Sequence, residues 1–378
     1  MVQYAGKLVL APMVRAGELP TRLLALKHGA DLVWSPEIID KKLIQCQRQV
    51  NDTLKTVDFI IPSKREGMDP GVVFRTVPEV EHGKLIFQIG TSTPSLAVEA
   101  ALKVIEDVAG IDVNAGCPKH FSIHSGMGAA LLQTPDKLCS ILIELVEKVG
   151  KVYGKPISVK IRILKDEEDT LTLVEKLCAT GITNLTVHCR TTPMRNRESP
   201  IRAYIPKIYE ICERNKVSLI INGAIRDKKH FEQLRSDLDL PKTIGGMMAD
   251  CAERNPTVFS ESPLPWFKAV KEYLDIANQY NHHPANVKYM MNRMTPGKSP
   301  FYQYFTQCRK LSDFAHVCQQ LGSSGDALND PVPFLIQERE KEKAEKQRLN
   351  NLKSTKKSDL KRASELTSDE QNKKMKSG

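Results

Sequence analysis

Short apolar runs alternate with amphipathic stretches along most of this chain. The runs fall at 7–13, 30–35, 84–89, 111–114, 157–162, 182–188, 217–222 and 243–249. Between several of them lie stretches with apolar residues at helical spacing, at 94–107, 135–149, 168–180, 205–215 and 228–236. A strand–helix unit repeated about eight times in about 250 residues predicts an α/β fold, a parallel (β/α)8 TIM barrel. An open doubly wound sheet is the alternative. Residues 51–83 break the pattern with Pro, Gly and polar clusters around Val72-Val73-Phe74-Arg75, and read as a hairpin-bearing insertion. After Pro256 the period becomes purely helical, at 266–280, 286–294, 300–309 and 311–321. The expected organisation is a barrel over 1–258, a small all-helical domain over 259–336 and a charged tail over 337–378. That tail has few apolar side chains and reads as a frayed helix passing into disorder.

The ends of the apolar runs carry the chemistry. They close on Met13, Gln88, Asn114, Lys160 with Arg162, His188 and Asn222. In such a barrel the C-terminal strand ends line one mouth, where ligands sit. A single polar strand end often just satisfies a local hydrogen bond, but several converging on one mouth point to a site. The stretch Ile111-Asp112-Val113-Asn114-Ala115-Gly116-Cys117-Pro118-Lys119 puts a thiol on the turn after a buried strand, beside an amide. Ser125-Gly126-Met127-Gly128 keeps the following loop free of bulk. A lone Cys is usually a small buried hydrophobe; its place at this mouth reverses that reading.

Composition narrows the choice. With 378 residues, 41% hydrophobic, the chain can bury at least one large core. Nine cysteines, odd in number and with no Cys-x-x-Cys pair, argue against a disulfide framework or a metal cluster and for a reducing compartment. His282-His283 point to different faces and lack a partner at metal-ligand spacing, so no metal is expected. An apolar strand starts by Leu8, leaving no room for a cleavable signal, and no apolar run reaches membrane-span length. The expected location is the cytoplasm or nucleus. The net charge is +10, and the stretch 337–378 holds 13 Lys+Arg against 8 Asp+Glu. A basic excess favours a polyanionic partner.

The mouth lacks the paired carboxylates of a glycosidase, a Ser nucleophile elbow and a Walker-type loop. Gly126-Met127-Gly128 mimics part of a dinucleotide fingerprint but follows a loop, without the acidic partner. What remains suits a flat, hydrogen-bonding heterocycle with a phosphate at the last two strands, where Asn222-Gly223-Ala224 and Gly245-Gly246 expose backbone amides. Flavin mononucleotide (FMN) meets that description.

The segments Leu10-Ala11-Pro12-Met13-Val14, Asn114-Ala115-Gly116-Cys117-Pro118-Lys119, Lys160-Ile161-Arg162, Val187-His188-Cys189-Arg190 and Asn222-Gly223-Ala224 resemble, in order and spacing, the tRNA-dihydrouridine synthase family. The resemblance covers residues 1 to about 335 and is strongest to the eukaryotic branch acting on uridine-20 of the tRNA D-loop, in its fungal-like form. It implies an FMN enzyme, with NADPH as co-substrate, that reduces the C5=C6 bond of uracil. Cys117 matches the general acid. Pro12, Met13 and Val14 match positions packed on the flavin ring, and Gln88, Lys160 and His188 match positions that contact it. Asn222, Gly223 and Ala224, with Ala249 and Asp250, match the ribityl and phosphate positions. Many relatives have Arg where Asp250 stands, which leaves backbone amides and Arg254 to hold the phosphate. The residues assigned to tRNA are Asn114, Lys119, Arg162, Arg190, Arg195 and Arg197, with Arg15 beside the mouth. A monomer is expected. The rival readings are a flavin reductase of a free pyrimidine and a tRNA-binding protein on a dead barrel.

Overall fold

The eight apolar runs all become barrel strands. A computed structural model describes residues 2–62 and 71–375. In chain order its strands are β1 (Leu8–Leu10), β2 (Leu32–Trp34), β3 (Ile38–Ile39), β4 (Gln47–Asn51), β5 (Thr56–Ile61), β6 (Gly71–Thr76), β7 (Leu85–Gly90), β8 (Gly110–Ala115), β9 (Ile157–Arg162), β10 (Asn184–His188), β11 (Ser218–Asn222) and β12 (Gly245–Met248). The order β1, β2, β7, β8, β9, β10, β11, β12 and back to β1 is parallel throughout. Pairing of β2 with β7 and of β1 with β12 closes the ring and excludes the open sheet. β3 only extends the edge of β7, pairing Ile38 and Ile39 with Ile89 and Gly90.

Closed parallel strands are buried on both faces, so their sequences run apolar almost continuously. Outward side chains pack on the helices. Inward ones divide the barrel interior into two sectors. One is apolar, built from Val9, Ala11, Trp34, Ile86, Ile220 and Met247. The other is polar and equally buried, with Gln88, Asp112, Ser158, Asn184 and Thr186. A barrel filled for stability alone would carry Val, Ile and Leu in both. The expected outer helices appear at Pro94–Val104, Pro135–Leu145, Glu167–Cys178, Ile205–Arg214 and Lys228–Asp237. Pro94 and Pro135 sit in first turns, where the missing N–H costs nothing.

The insertion is a three-stranded antiparallel sheet, β4-β5-β6, starting at Gln47 rather than 51; residues 63–70 of the expected stretch lie outside the described residues. Its Phe59 and Phe74 are buried, and Phe74 meets Phe87 of β7 edge-on at 4.9 Å. The appended domain holds the helices Trp266–Gln279, Pro284–Met294, Pro300–Gln307 and Leu311–Gln319 around Tyr273, Met290, Met291, Phe301, Phe305 and Phe314. It rests on the barrel helix Leu19–Lys27, whose Leu24 belongs to the same core. A last helix, Val332–Met375, spans the division expected at 337. Its first turns are docked: Leu335 is buried, Arg339 donates to the Gln307 carbonyl, and Lys310 pairs with Glu338 and Glu342. Among the described residues no helix is long and apolar enough to cross a membrane.

Candidate active site

β8 delivers the thiol, and its own Asn114 shapes the turn. The Asn114 Oδ1 accepts from the backbone N–H groups of Gly116 at 2.9 Å and Cys117 at 3.0 Å, a turn closed by its own side chain. Arg162, at the end of β9, donates to the Gly116 carbonyl at 2.8 Å and to the Thr191 carbonyl at 3.0 Å, tying this turn to the loop after β10. Behind Cys117 lies Gly128, with φ +59°, where a Cβ would stand 2.7 Å from the Cys117 carbonyl oxygen. The small-residue run after the thiol is therefore a steric requirement. Burial pushes the Cys117 thiol up, a hydrogen bond with the Lys119 backbone opposes this, and the Glu37 charge adds to it. The thiol is protonated at neutral pH.

Cys117 opens into a cavity of about 390 Å³ at the barrel mouth, walled by Pro12, Met13 and Val14 on one side and by Gln88, Lys160 and His188 below. Strand register sets these neighbours: Asn114 lies opposite Lys160, and His188 opposite both Arg162 and Asn222. Below the floor, fully buried Asp112 accepts from Gln88 Nε2 at 2.8 Å and from Ser158 Oγ at 2.6 Å. That bond leaves the Gln88 carbonyl oxygen as the acceptor toward the cavity. Burial raises Asp112 to about 6, against those two bonds and the Lys160 charge. Burial and the Arg162 charge bring Lys160 down to about 8, against the pull of Asp112, so it stays mostly charged at pH 7. His188 is held neutral, pushed to about 2 by burial and by the charges of Lys160, Arg162 and Arg190. Arg190 Nη1 stands 3.2 Å from His188 Nε2. A guanidinium only donates, so Nε2 accepts and the ring proton sits on Nδ1.

A second cavity of about 490 Å³ adjoins the first at His188 and Asn196 and runs over the ends of β11 and β12. Asn222 anchors its edge by donating to the Met247 carbonyl at 2.9 Å. Gly223, at φ +124°, and Ala224, at φ +52°, turn the backbone along its wall. Arg197, Arg226 and Arg254 supply positive charge. The Asp250 carboxylate is paired with Arg254 at 3.1 Å and Arg293 at 3.3 Å, so it does not stand unneutralised beside an anion.

The two cavities together bring every cofactor residue expected from the sequence to one cleft, with Cys117 on its rim. The residues assigned to tRNA divide. Lys119, Arg195 and Arg197 are exposed. Arg162 and Arg190 are not free cations: both are buried, and Arg190 donates to the Glu198 and Asn196 carbonyls. Each braces a loop, as Asn114 braces the thiol turn, though Asn114 and Arg162 also line the first cavity. Arg195 lines neither cavity. Among the lining residues that escaped the sequence reading are Glu37, Arg226, Glu253 and Tyr289. Glu37 lies just past the second apolar run, behind Pro36, so the rule of polar strand ends, extended by two residues, would have found it. Glu253 and Tyr289, hydrogen-bonded to each other, meet only through docking of the helical domain.

The dihydrouridine synthase (Dus) family model matches residues 31–345. The tRNA-dihydrouridine(20) synthase [NAD(P)+] of Saccharomyces cerevisiae is 60% identical over 350 residues, covering 91% of each chain. That of Schizosaccharomyces pombe is 47% identical, covering 79% of this chain and 61% of its own. A human tRNA-dihydrouridine(20a/20b) synthase [NAD(P)+]-like protein is 30% identical, covering 77% of this chain and 84% of its own.

Proposed function

We propose that this chain, which belongs to the dihydrouridine synthase family, reduces uridine 20 of tRNA to 5,6-dihydrouridine, with FMN as cofactor and NADPH as electron donor. The observation that carries the reading is a protonated thiol, Cys117, opening into the same cavity as Gln88, Lys160 and His188. The residues present fit FMN. Pro12, Met13 and Val14 give an apolar wall for a flat ring, the Gln88 oxygen is an open acceptor, and Lys160 is a half-buried cation facing the cavity. The second cavity suits a ribityl phosphate, with Asn222, Gly223, Ala224 and Ala249 along its wall and Arg226 and Arg254 as counter-charges. Asp250 would reach the phosphate only through its backbone.

When bound, the flavin supplies the hydride that adds to C6 of uracil. That addition leaves an electron pair at C5, conjugated with the C4 carbonyl. Cys117 gives its proton to C5 and becomes a thiolate, completing the saturated ring. A thiol is suited to this because it is protonated at neutral pH yet still a competent donor. Asn114 and Arg162 fix the turn that carries it. The base must leave its stack in the folded tRNA to enter the cleft. Exposed Lys119, Arg195 and Arg197 around the mouth, and a net charge of +10, favour the RNA backbone there. Nine free cysteines suit a reducing location, cytoplasm or nucleus.

The test is Cys117→Ala. Bound flavin and its reduction by NADPH should match the parent, because the thiol acts only on the uracil carbon. Dihydrouridine formation in tRNA should fall by roughly a hundred-fold or more, as for a lost general acid. Parental turnover of tRNA by this variant would remove Cys117 from that role.

A further inference from the structure

The proton that Cys117 gives away has to be replaced before the next uridine arrives. We propose that Glu37 is the residue that returns it, making Glu37 and Cys117 a two-step proton relay at the cavity wall. The inference rests on the reading of Cys117 as the acid.

Glu37 sits on the short link between β2 and β3 and lines the same cavity as Cys117. Pairing of Ile38 and Ile39 with the end of β7 pins that link. Its carboxyl is wedged against the backbone of Gly90: a Cβ on Gly90 would stand 2.6 Å from Glu37 Oε1. Asn114, Cys117 and Lys119 line the same cavity wall, and the Asn114 amide, the Lys119 charge and the Cys117 thiol all bear on its ionisation. Asn114 has already spent its oxygen on the thiol turn, so its NH2 is the group that faces the carboxyl. Oε1 itself is buried without a partner. A half-ionised carboxyl wedged beside a reacting thiol, with one oxygen unmet, is costly for the fold and is the usual mark of a proton-handling site.

The direction of transfer follows from relative acidity. Burial raises Glu37 to about 7, against hydrogen bonding from Asn114 and the charge of Lys119. The thiol is raised above its own, already higher, value. Transfer from the carboxylic acid to the thiolate is therefore downhill, and near neutral pH the carboxylate recovers its proton from water entering the cavity. The balance closes: Cys117 S–H breaks as C5–H forms, the Glu37 O–H proton restores S–H, and the one proton each reduction consumes comes from bulk solvent, relayed through water to the carboxylate. Ser122 also lies against the thiol, but an aliphatic hydroxyl is too weak an acid to give its proton to a thiolate. The other charged or titratable groups around the cavity are Lys119, Lys160, Arg162, His188, Glu253 and Tyr289. Neutral His188 has no spare proton at pH 7, and Glu253 and Tyr289 are bonded to each other.

The experiment compares the parent with Glu37→Gln and Glu37→Asp, all loaded with FMN. A pre-reduced enzyme given one equivalent of tRNA needs only the proton already on Cys117. Glu37→Gln should complete this first turnover at close to the parental rate. Under excess tRNA and NADPH it should then slow by about ten-fold or more, giving a burst of about one dihydrouridine per enzyme. Glu37→Asp should recover part of the steady rate. Separately, the pH profile of Cys117 alkylation in the unloaded protein, read by peptide mass, should move to lower pH in Glu37→Gln, since a negative neighbour is gone. Equal slowing of first and later turnovers would make Glu37 a binding or shape residue and overturn the relay. Unchanged rates in both phases would make it a spectator and overturn it too. Parental activity in Cys117→Ala would instead sink the reading beneath it, so the two failures are distinguishable.

Discussion

Gly223 and Ala224 show how much one torsion angle decides at this site. Gly223 stands at φ +124°, which L residues rarely adopt, and a Cβ there would lie 3.3 Å from the His188 ring and 3.5 Å from Arg190 Nη1. Gly223→Ala should therefore cost roughly 1–3 kcal/mol and push His188 off the cleft floor, lowering both the melting temperature and flavin retention. Ala224 stands at φ +52°, in the left-handed region that costs an alanine roughly 1 kcal/mol. Ala224→Gly relieves that strain but frees the unfolded chain by nearly as much. It should melt within a few degrees of the parent and keep its flavin. Thermal melts of both variants with and without FMN check the contrast, and a neutral Gly223→Ala would sink it. At this same scale the sequence did not disclose the bracing bonds of Arg162 and Arg190. An arginine at a strand end or in a loop reads as an available cation, yet both are buried and their donors meet carbonyl oxygens of neighbouring loops. Nothing local to either arginine announces those carbonyls.

Elements were legible where their signal was local. Period, proline starts and polar strand ends gave the eight strands and their mouth directly. The helix Leu19–Lys27 had no such signal. It is wedged between barrel and helical domain, with seven of its nine residues buried, among them Thr21 and Arg22, so no amphipathic stripe survives. The insertion sheet was visible as punctuation, but its role was not, because its contacts are long-range. Arg22 reaches from that helix to Glu81 and to the Arg75 carbonyl. Arg75 grips Asp58 with two nitrogens and donates to the Tyr280 carbonyl at the end of the helical domain's first helix. The sheet thus clamps the two domains together. Burial acts to raise the Asp58 carboxyl, but bonds from Arg75 and Thr56 outweigh it and hold it below its ordinary value. A depressed carboxylate stabilises the fold above its unfolded value, near 4, and that contribution fades as pH falls through the lower folded one. Arg75→Ala should cost roughly 1–3 kcal/mol at pH 7 through unmet partners. It should also flatten the loss of stability between about pH 5 and pH 3. Urea melts across that range measure both effects, and an unchanged acid slope would show that Arg75 does not set the Asp58 titration.

Across the whole molecule, charge and docking separate along the last helix. From 337 to 346 there are 4 basic and 4 acidic residues, and this is the stretch whose Glu338, Arg339 and Glu342 hold the helical domain. From 347 to 378 there are 9 Lys+Arg against 4 Asp+Glu, half of the chain's net +10. The tail's whole positive excess therefore lies beyond its docked turns. Removing 347–378 should leave the fold, the melting temperature and the bound flavin as they are. Removing 337–378 should instead weaken the helical domain, because Lys310 and Gln307 lose their partners. Lysines and arginines that neutralise tRNA phosphates release counterions, so their contribution is largest at low salt and fades as salt rises. The shorter truncation should thus weaken tRNA binding several-fold at low salt, with a shallower slope of log affinity against log salt, and should converge on the full chain in high salt. Binding titrations of both truncations across a salt series, beside melts and flavin content, separate the two roles of one helix. Identical slopes for the full chain and the 347 truncation would mean that this charge is only solvated and takes no part in holding tRNA.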